Sequence, residues 1–273
     1  MILITGGNGQ LGTELRKLLP DAIFTGIKEL DITDEIAVNE FVKSYDIDTI
    51  INCAAYTNVD DAEDNVELVT KVNVDGPKNL AKTGAKIIHI STDYVFDGKG
   101  YKPYTPNDET KPISVYGKTK LAGENEVKKN ANIYAIIRTA WLYSSYGKNF
   151  VKTIRRLGEI KNTLNVVCDQ IGTPTYAGDL AEVIVKIIPQ LNSENKGVYH
   201  FTNEGVCSWY DFAIEIIKKS GLKCNLNPIL SSAYPTKAMR PFYSVLDKSK
   251  IKEIFGVKIS HWKEGLEQCL KQF

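Results

Sequence analysis

Tyr116 and Lys120 stand four residues apart in the stretch SVYGKTKLAGE, Ser114 to Glu124, which reads as the opening of a helix capped by Ser114. Four residues advance a helix by about 400° and roughly 6 Å, so the phenol and the ammonium share nearly one face, one turn apart. A free tyrosine has a pKa of about 10, too high for efficient proton exchange near neutrality. A neighbouring ammonium favours the phenolate, as does the positive charge of an oxidised nicotinamide, and each unit of lowering corresponds to about 1.4 kcal/mol. The pair is suited to moving a proton at a substrate oxygen. A lone Tyr-x-x-x-Lys spacing is equally the mark of a solvated helix face, so the surrounding elements must decide.

The first strand, ILIT, runs straight into Gly6-Gly7-Asn8-Gly9-Gln10-Leu11-Gly12. Gly6, Gly9 and Gly12 form a GxxGxxG pattern: the first allows a tight turn, the second a close approach of pyrophosphate, the third close packing of helix on strand. The helix that follows offers free N–H groups and a positive dipole end to phosphates. A strand before the loop and a helix after it are the context that dinucleotide binding requires. NAD-preferring sites usually carry an acid at the end of the second strand. That end reads Thr25-Gly26-Ile27-Lys28, with no acid. Lys28 could meet a 2′-phosphate, Asp31 in LDITD is placed to face the adenine, and NADH and NADPH both stay open.

The elements that position these groups alternate. ILIT, AIFTGI, DTIINCAA, KIIHIS and YAIIRTAWLY are apolar strands; helices are expected over Gln10–Leu19, Glu35–Tyr45 behind the capping pair Thr33 and Asp34, Val66–Thr83, from Ser114 onward, and over Gly178–Leu191. Near-continuous apolar strands separated by amphipathic helices indicate an α/β chain with a doubly wound parallel sheet of Rossmann type, covered on both faces. The expected division is an NAD(P)-binding domain of residues 1–143 plus 176–192. A smaller substrate-binding lobe, largely C-terminal, takes residues 144–175 plus 193–273 and folds over the carboxyl edge of the sheet, where ligands of such sheets bind.

Composition narrows the partners. The 273 residues carry 34 basic and 33 acidic side chains, a formal charge of +1, so no basic excess exists to neutralise a nucleic-acid backbone. No apolar run is long enough to span a bilayer. The N-terminus enters a strand with no signal-peptide pattern, and five scattered cysteines outside any CxxC spacing point to reduced thiols and a cytoplasmic location. His89, His200 and His261 lack the spacing of a metal pair, and His89 in KIIHIST reads as a strand residue.

Glycine loop, NCAAYTNVD, STDYVFDG and YxxxK, in that order, resemble the extended short-chain dehydrogenase/reductase family. RTAWLY, DQIGTPTYAGDLA and SAYPTKAMRP narrow the resemblance to its sugar-nucleotide reductases and extend it over nearly the whole chain. It implies NAD(P)H-dependent reduction of the C4 ketone of a dTDP-linked 4-keto-6-deoxy sugar, dTDP-4-dehydro-L-rhamnose, to dTDP-L-rhamnose. By position it makes Tyr116 the proton donor, Lys120 its partner, and Thr92 the hydroxyl that holds the carbonyl. Gly6, Gly9, Gln10, Leu11, Gly12, Asp31, Ile32, Ala54, Ala55, Tyr56, Thr57 and Ile90, with Tyr116 and Lys120, would line the cofactor. Thr92, Asp93 and Trp141 would face the sugar nucleotide. Arg240 is the candidate for the diphosphate, because a guanidinium fork suits phosphate oxygens.

Some relatives hold Mg2+ at a dimer contact; the acidic set for it is not identifiable here, and monomer and homodimer both stay open. Tyr243 stands where similar reductases often have asparagine. Two other readings remain: an epimerase or dehydratase on the same scaffold, and a non-catalytic dinucleotide-binding regulatory subunit. The absence of an adjacent Asp-Glu pair in Ser91-Thr92-Asp93-Tyr94 weighs against dehydration, and the intact Thr92, Tyr116 and Lys120 set weighs against lost catalysis.

Overall fold

The computed structural model describes residues 1–273. The chain opens with β1 (Ile2–Thr5), α1 (Gln10–Leu18), β2 (Ile23–Thr25), α2 (Glu35–Ser44) and β3 (Thr49–Asn52). Then come α3 (Val59–Ala62), α4 (Val66–Thr70), α5 (Gly76–Lys82), β4 (Lys86–Thr92), α6 (Val115–Asn130) and β5 (Tyr134–Thr139). The next stretch holds β6 (Leu142–Tyr143), α7 (Phe150–Ile160), β7 (Thr163–Val167), β8 (Ile171–Gly172), β9 (Thr175–Tyr176) and α8 (Ala177–Ile187). Last are β10 (Gly197–His200), β11 (Cys207–Ser208), α9 (Trp209–Lys219), β12 (Asn225–Ile229), α10 (Ser249–Phe255) and α11 (Trp262–Leu270).

Six strands form one sheet in the order β10-β5-β4-β3-β1-β2, every pair parallel. Successive residues of a strand point to opposite faces, so paired apolar positions feed two cores. Ile4, Ile51, Ile88 and Ile137 enter one cluster with α1, α8 and α10. Their neighbours Leu3, Ile50, Ile87 and Ile136 enter the other with α2, α5 and α6. This is the doubly wound α/β architecture, and the chain reverses direction across the sheet between β1 and β3, where such folds open a crevice.

A third core, with Tyr143, Ile154, Phe212, Ile216 and Trp262 among its members, lies outside the sheet and joins α7, α9 and α11. Three expectations need correction. Residues 193–273 do not all belong to the smaller lobe: β10 extends the main sheet beside β5, and Ile251 and Phe255 of α10 cover it. Four residues are a weak signal for a strand, and β10 gains its place from pairing with the exposed side of β5. The apolar run Tyr134–Tyr143 is not one strand, because Trp141 adopts a left-handed backbone (φ 50°) that breaks it after Thr139. The helix over Val66–Thr83 contains a π-helical turn at Lys71–Asp75; single π turns of this kind frequently accompany functional sites.

Candidate functional site

A crevice of about 870 Å³ runs along the carboxyl edge of the main sheet, beneath residues of the smaller lobe. Thr92, Tyr116 and Lys120 meet in it. The Ser114 hydroxyl accepts from Gly117 N at 3.1 Å, starting α6 so that Tyr116 falls in its first turn. Thr92 ends β4 and lines the crevice with Tyr116; its hydroxyl donates to Asp93 Oδ1 at 3.0 Å and accepts from Tyr94 N at 3.2 Å. One turn further, Lys120 is only 2 % exposed and its ammonium donates to Ile90 O at 2.7 Å.

Burial, the dominant influence, lowers the Lys120 pKa to about 8 against the attraction of Glu124. Burial likewise raises that of the Tyr116 phenol well above the usual tyrosine value, opposed by the neighbouring Thr92 hydroxyl. In the protein alone burial dominates at the phenol, and Lys120 is not among the groups that lower its pKa. Tyr116 is held as a neutral acid that keeps the proton it could donate.

The glycine loop fits a dinucleotide. Gly6 turns with φ +67°, and a Cβ there would lie 2.7 Å from Ala54 N. At Gly12 a Cβ would lie 2.6 Å from Gly6 O, so any side chain would push α1 away from the loop. α1 begins after Gly9 with no side-chain cap, which leaves its first N–H groups open to phosphate oxygens. Gln10, Leu11, Asp31 and Ile32 line the crevice at this end. The Asp31 carboxylate accepts from Thr33 N at 2.9 Å and from the Thr33 hydroxyl at 2.8 Å. Lys28 is exposed and lies outside the lining. Glu29 accepts from Gly26 N at 2.8 Å within the turn after β2 and lies outside the lining.

At the other end, Ala54, Ala55, Tyr56, Thr57 and Ile90 form the wall. Asn73, from the π turn, pins it, accepting from Tyr56 N at 2.8 Å and donating to Tyr56 O at 3.1 Å. On the substrate side Asp93 is 3 % exposed and accepts from the Thr92 hydroxyl at 3.0 Å; burial raises its pKa to about 6. Trp141 lines the same wall.

Arg240 is not brought into the crevice lining; its Nη2 donates to Asp60 Oδ2 at 2.6 Å, a pairing that ties the late loop to α3. The pairing engages Nη2 alone, and the guanidinium also lies beside Tyr94, which lines the crevice. Burial pushes the Cys53 thiol up to about 12, which leaves it inert. His89 lies buried within the sheet with Nδ1 3.0 Å from Asn52 Nδ2. No group of three His, Cys, Asp or Glu residues that could hold a metal ion converges within the chain.

Trp209, Lys148 and Asn73 belong to the site's surroundings and were not foreseen. Trp209 follows a serine that caps its helix, and Lys148 lies in the turn-like SSYGKN; both signals are local and neither says which crevice the residue meets.

A family model described as "RmlD substrate binding domain" matches residues 1–273. A dTDP-4-dehydrorhamnose reductase of Aggregatibacter actinomycetemcomitans is 42 % identical, covering 97 % of this chain and 97 % of that one. The crystal structure of a dTDP-4-dehydrorhamnose reductase from Clostridium acetobutylicum superposes with a TM-score of 0.95 at 46 % identity, covering 99 % of this chain and 98 % of the other. That of the Bacillus anthracis dTDP-4-dehydrorhamnose reductase, in complex with NADP, has a TM-score of 0.96 at 40 % identity over 100 % and 99 % of the two chains. Similarity of this extent, carried from the glycine loop through the smaller lobe, makes the chain a member of the dTDP-4-dehydrorhamnose reductase family.

Proposed function

We propose that the protein catalyses NAD(P)H-dependent reduction of the C4 ketone of dTDP-4-dehydro-L-rhamnose to dTDP-L-rhamnose, with Tyr116 as the proton donor. The observation that carries the reading is a buried phenol, with Thr92 and Lys120 lining the same crevice, which ends at an uncapped helix N-terminus. The names of the relatives support the substrate, and the NADP held by the Bacillus anthracis protein supports NADPH as one reductant.

A reduced nicotinamide, when bound, supplies hydride to the ketone carbon. Thr92 and Tyr116 together bond the ketone oxygen, where negative charge grows as the carbon is reduced. Tyr116 then releases its proton to that oxygen, and burial, which disfavours a phenolate, requires a cation nearby at that moment. Lys120, anchored on Ile90 O, is the residue of this chain placed to supply it and to hold the ribose hydroxyls. Asp93 and Trp141 bound the space left for the hexose.

The test incubates the purified protein with dTDP-4-keto-6-deoxy-L-mannose and NADPH or NADH and identifies the product. Stoichiometric oxidation of the reductant with formation of dTDP-L-rhamnose is expected, and Tyr116→Phe should lower kcat by about 10²–10⁴-fold while cofactor binding survives. A redox-neutral isomer as product would point to epimerisation. Tight cofactor binding without turnover on any keto sugar would point to a regulatory subunit.

A further inference from the structure

Trp141 is the one crevice-lining residue with a left-handed backbone and a side chain, φ 50°. A bulky residue seldom adopts this conformation unless its surroundings impose it. Two neighbours confine the side chain it presents. The indole of Trp209 stacks on that of Trp141 with ring centroids 3.6 Å apart and planes 13° from parallel. On the ring's edge stands Gly172, where a Cβ would lie 2.7 Å from Trp141 Cε2.

The two neighbours are themselves tied together. Gly172 in β8 pairs with Cys207 in β11, and Ser208, next in the chain, caps α9 in a reciprocal arrangement with Asp211. Trp209 is the first residue of that helix and rests on Phe150, with centroids 4.6 Å apart. The stack thus runs from the crevice into the core of the smaller lobe, which gives Trp209 little freedom to retreat.

We propose that Trp209 and Gly172 form a clamp that fixes the Trp141 indole as a flat wall for the hexose, making Trp209 a positioning residue of the sugar subsite. The ligand class is the apolar face of a deoxyhexose, whose C–H groups suit an indole surface. The clamp rests on the proposed reaction for the identity of the sugar, though not for its geometry.

The test compares dTDP with dTDP-L-rhamnose as ligands of the wild type, Trp209→Leu and Gly172→Ala, by calorimetry, with near-ultraviolet circular dichroism of each free protein. Stacked indoles give the wild type a coupled aromatic signal that Trp209→Leu should abolish and Gly172→Ala should diminish. Both variants should bind dTDP as the wild type does, yet lose about tenfold in affinity for dTDP-L-rhamnose. Their KM for the keto sugar should rise more than kcat falls. Unchanged dTDP-L-rhamnose affinity in both folded variants would overturn the clamp, as would a wild type without the coupled signal. A wild type that binds dTDP-L-rhamnose through the clamp but reduces no keto sugar would retire the reaction and leave the clamp standing.

Discussion

Asp93 carries a cost that its position next to Thr92 explains. The carboxyl lies at the base of the crevice, and burial, only partly offset by hydrogen bonds, raises its pKa from 3.8 to about 6. A carboxyl with a folded-state pKa above its unfolded value binds its proton more tightly when folded. Stability therefore falls as pH rises between those two values, and the cost above them is about 3 kcal/mol by the size of the shift. Asp93→Asn keeps an acceptor for the Thr92 hydroxyl and removes the titration. In urea unfolding, the variant should gain on the wild type by about 2–3 kcal/mol between pH 4 and pH 8; a difference that does not change with pH would show that Asp93 is not buried as a charge.

A buried carboxylate, besides the Lys120 bond to Ile90 O, ties α6 to the strands. Glu124, one turn past Lys120, accepts from Arg138 Nε at 2.9 Å and Nη2 at 2.8 Å, and from the Ser91 hydroxyl at 2.6 Å. Glu124 is 0 % and Arg138 2 % exposed. The bonds join the helix that bears Tyr116 to β4, which ends in Thr92, so the distance between the two hydroxyls depends on this junction. Glu124→Gln leaves a guanidinium buried without its counter-charge and should cost about 3–5 kcal/mol in denaturant unfolding. Adding Arg138→Met should recover part of the loss, since the double variant buries no lone charge. If the two losses simply added, the pair would not be acting as one unit.

The crevice is closed by parts of the molecule distant in sequence: the strand ends of the main sheet on one side, and Gly147, Lys148 and Trp209 on the other. A ligand in it binds the folded chain alone. NADPH at 100 times its Kd should add about 2.7 kcal/mol to the unfolding free energy. At on the order of 2–4 °C per kcal/mol, the melting temperature should rise by several degrees. Gly12→Val, which crowds Gly6 O, should abolish that rise in a thermal scan while the unliganded protein still unfolds cooperatively. A rise that survives the substitution would move the cofactor away from the glycine loop.

Local periodicities and short motifs made much of this protein legible in one dimension. The paired apolar residues of β1, β3, β4 and β5 announce a sheet covered on both faces, because alternation along a strand is a property of neighbouring residues. The glycine spacing and the four-residue step from Tyr116 to Lys120 are equally local. Contacts between distant residues depend on the packing of the whole chain, and there the sequence was silent or misleading. That Arg240 pairs through Nη2 with Asp60, 180 residues earlier, cannot be read from either segment. Nothing in the sequence says that the Lys120 ammonium meets the Ile90 carbonyl, and RTAWLY reads as strand although Trp141 takes a left-handed backbone beside Trp209 and Gly172. Residue type and spacing determined which chemistry the chain can perform; burial and long-range pairing, which exist only once the chain is folded, decided which of its charged and aromatic side chains are available to perform it.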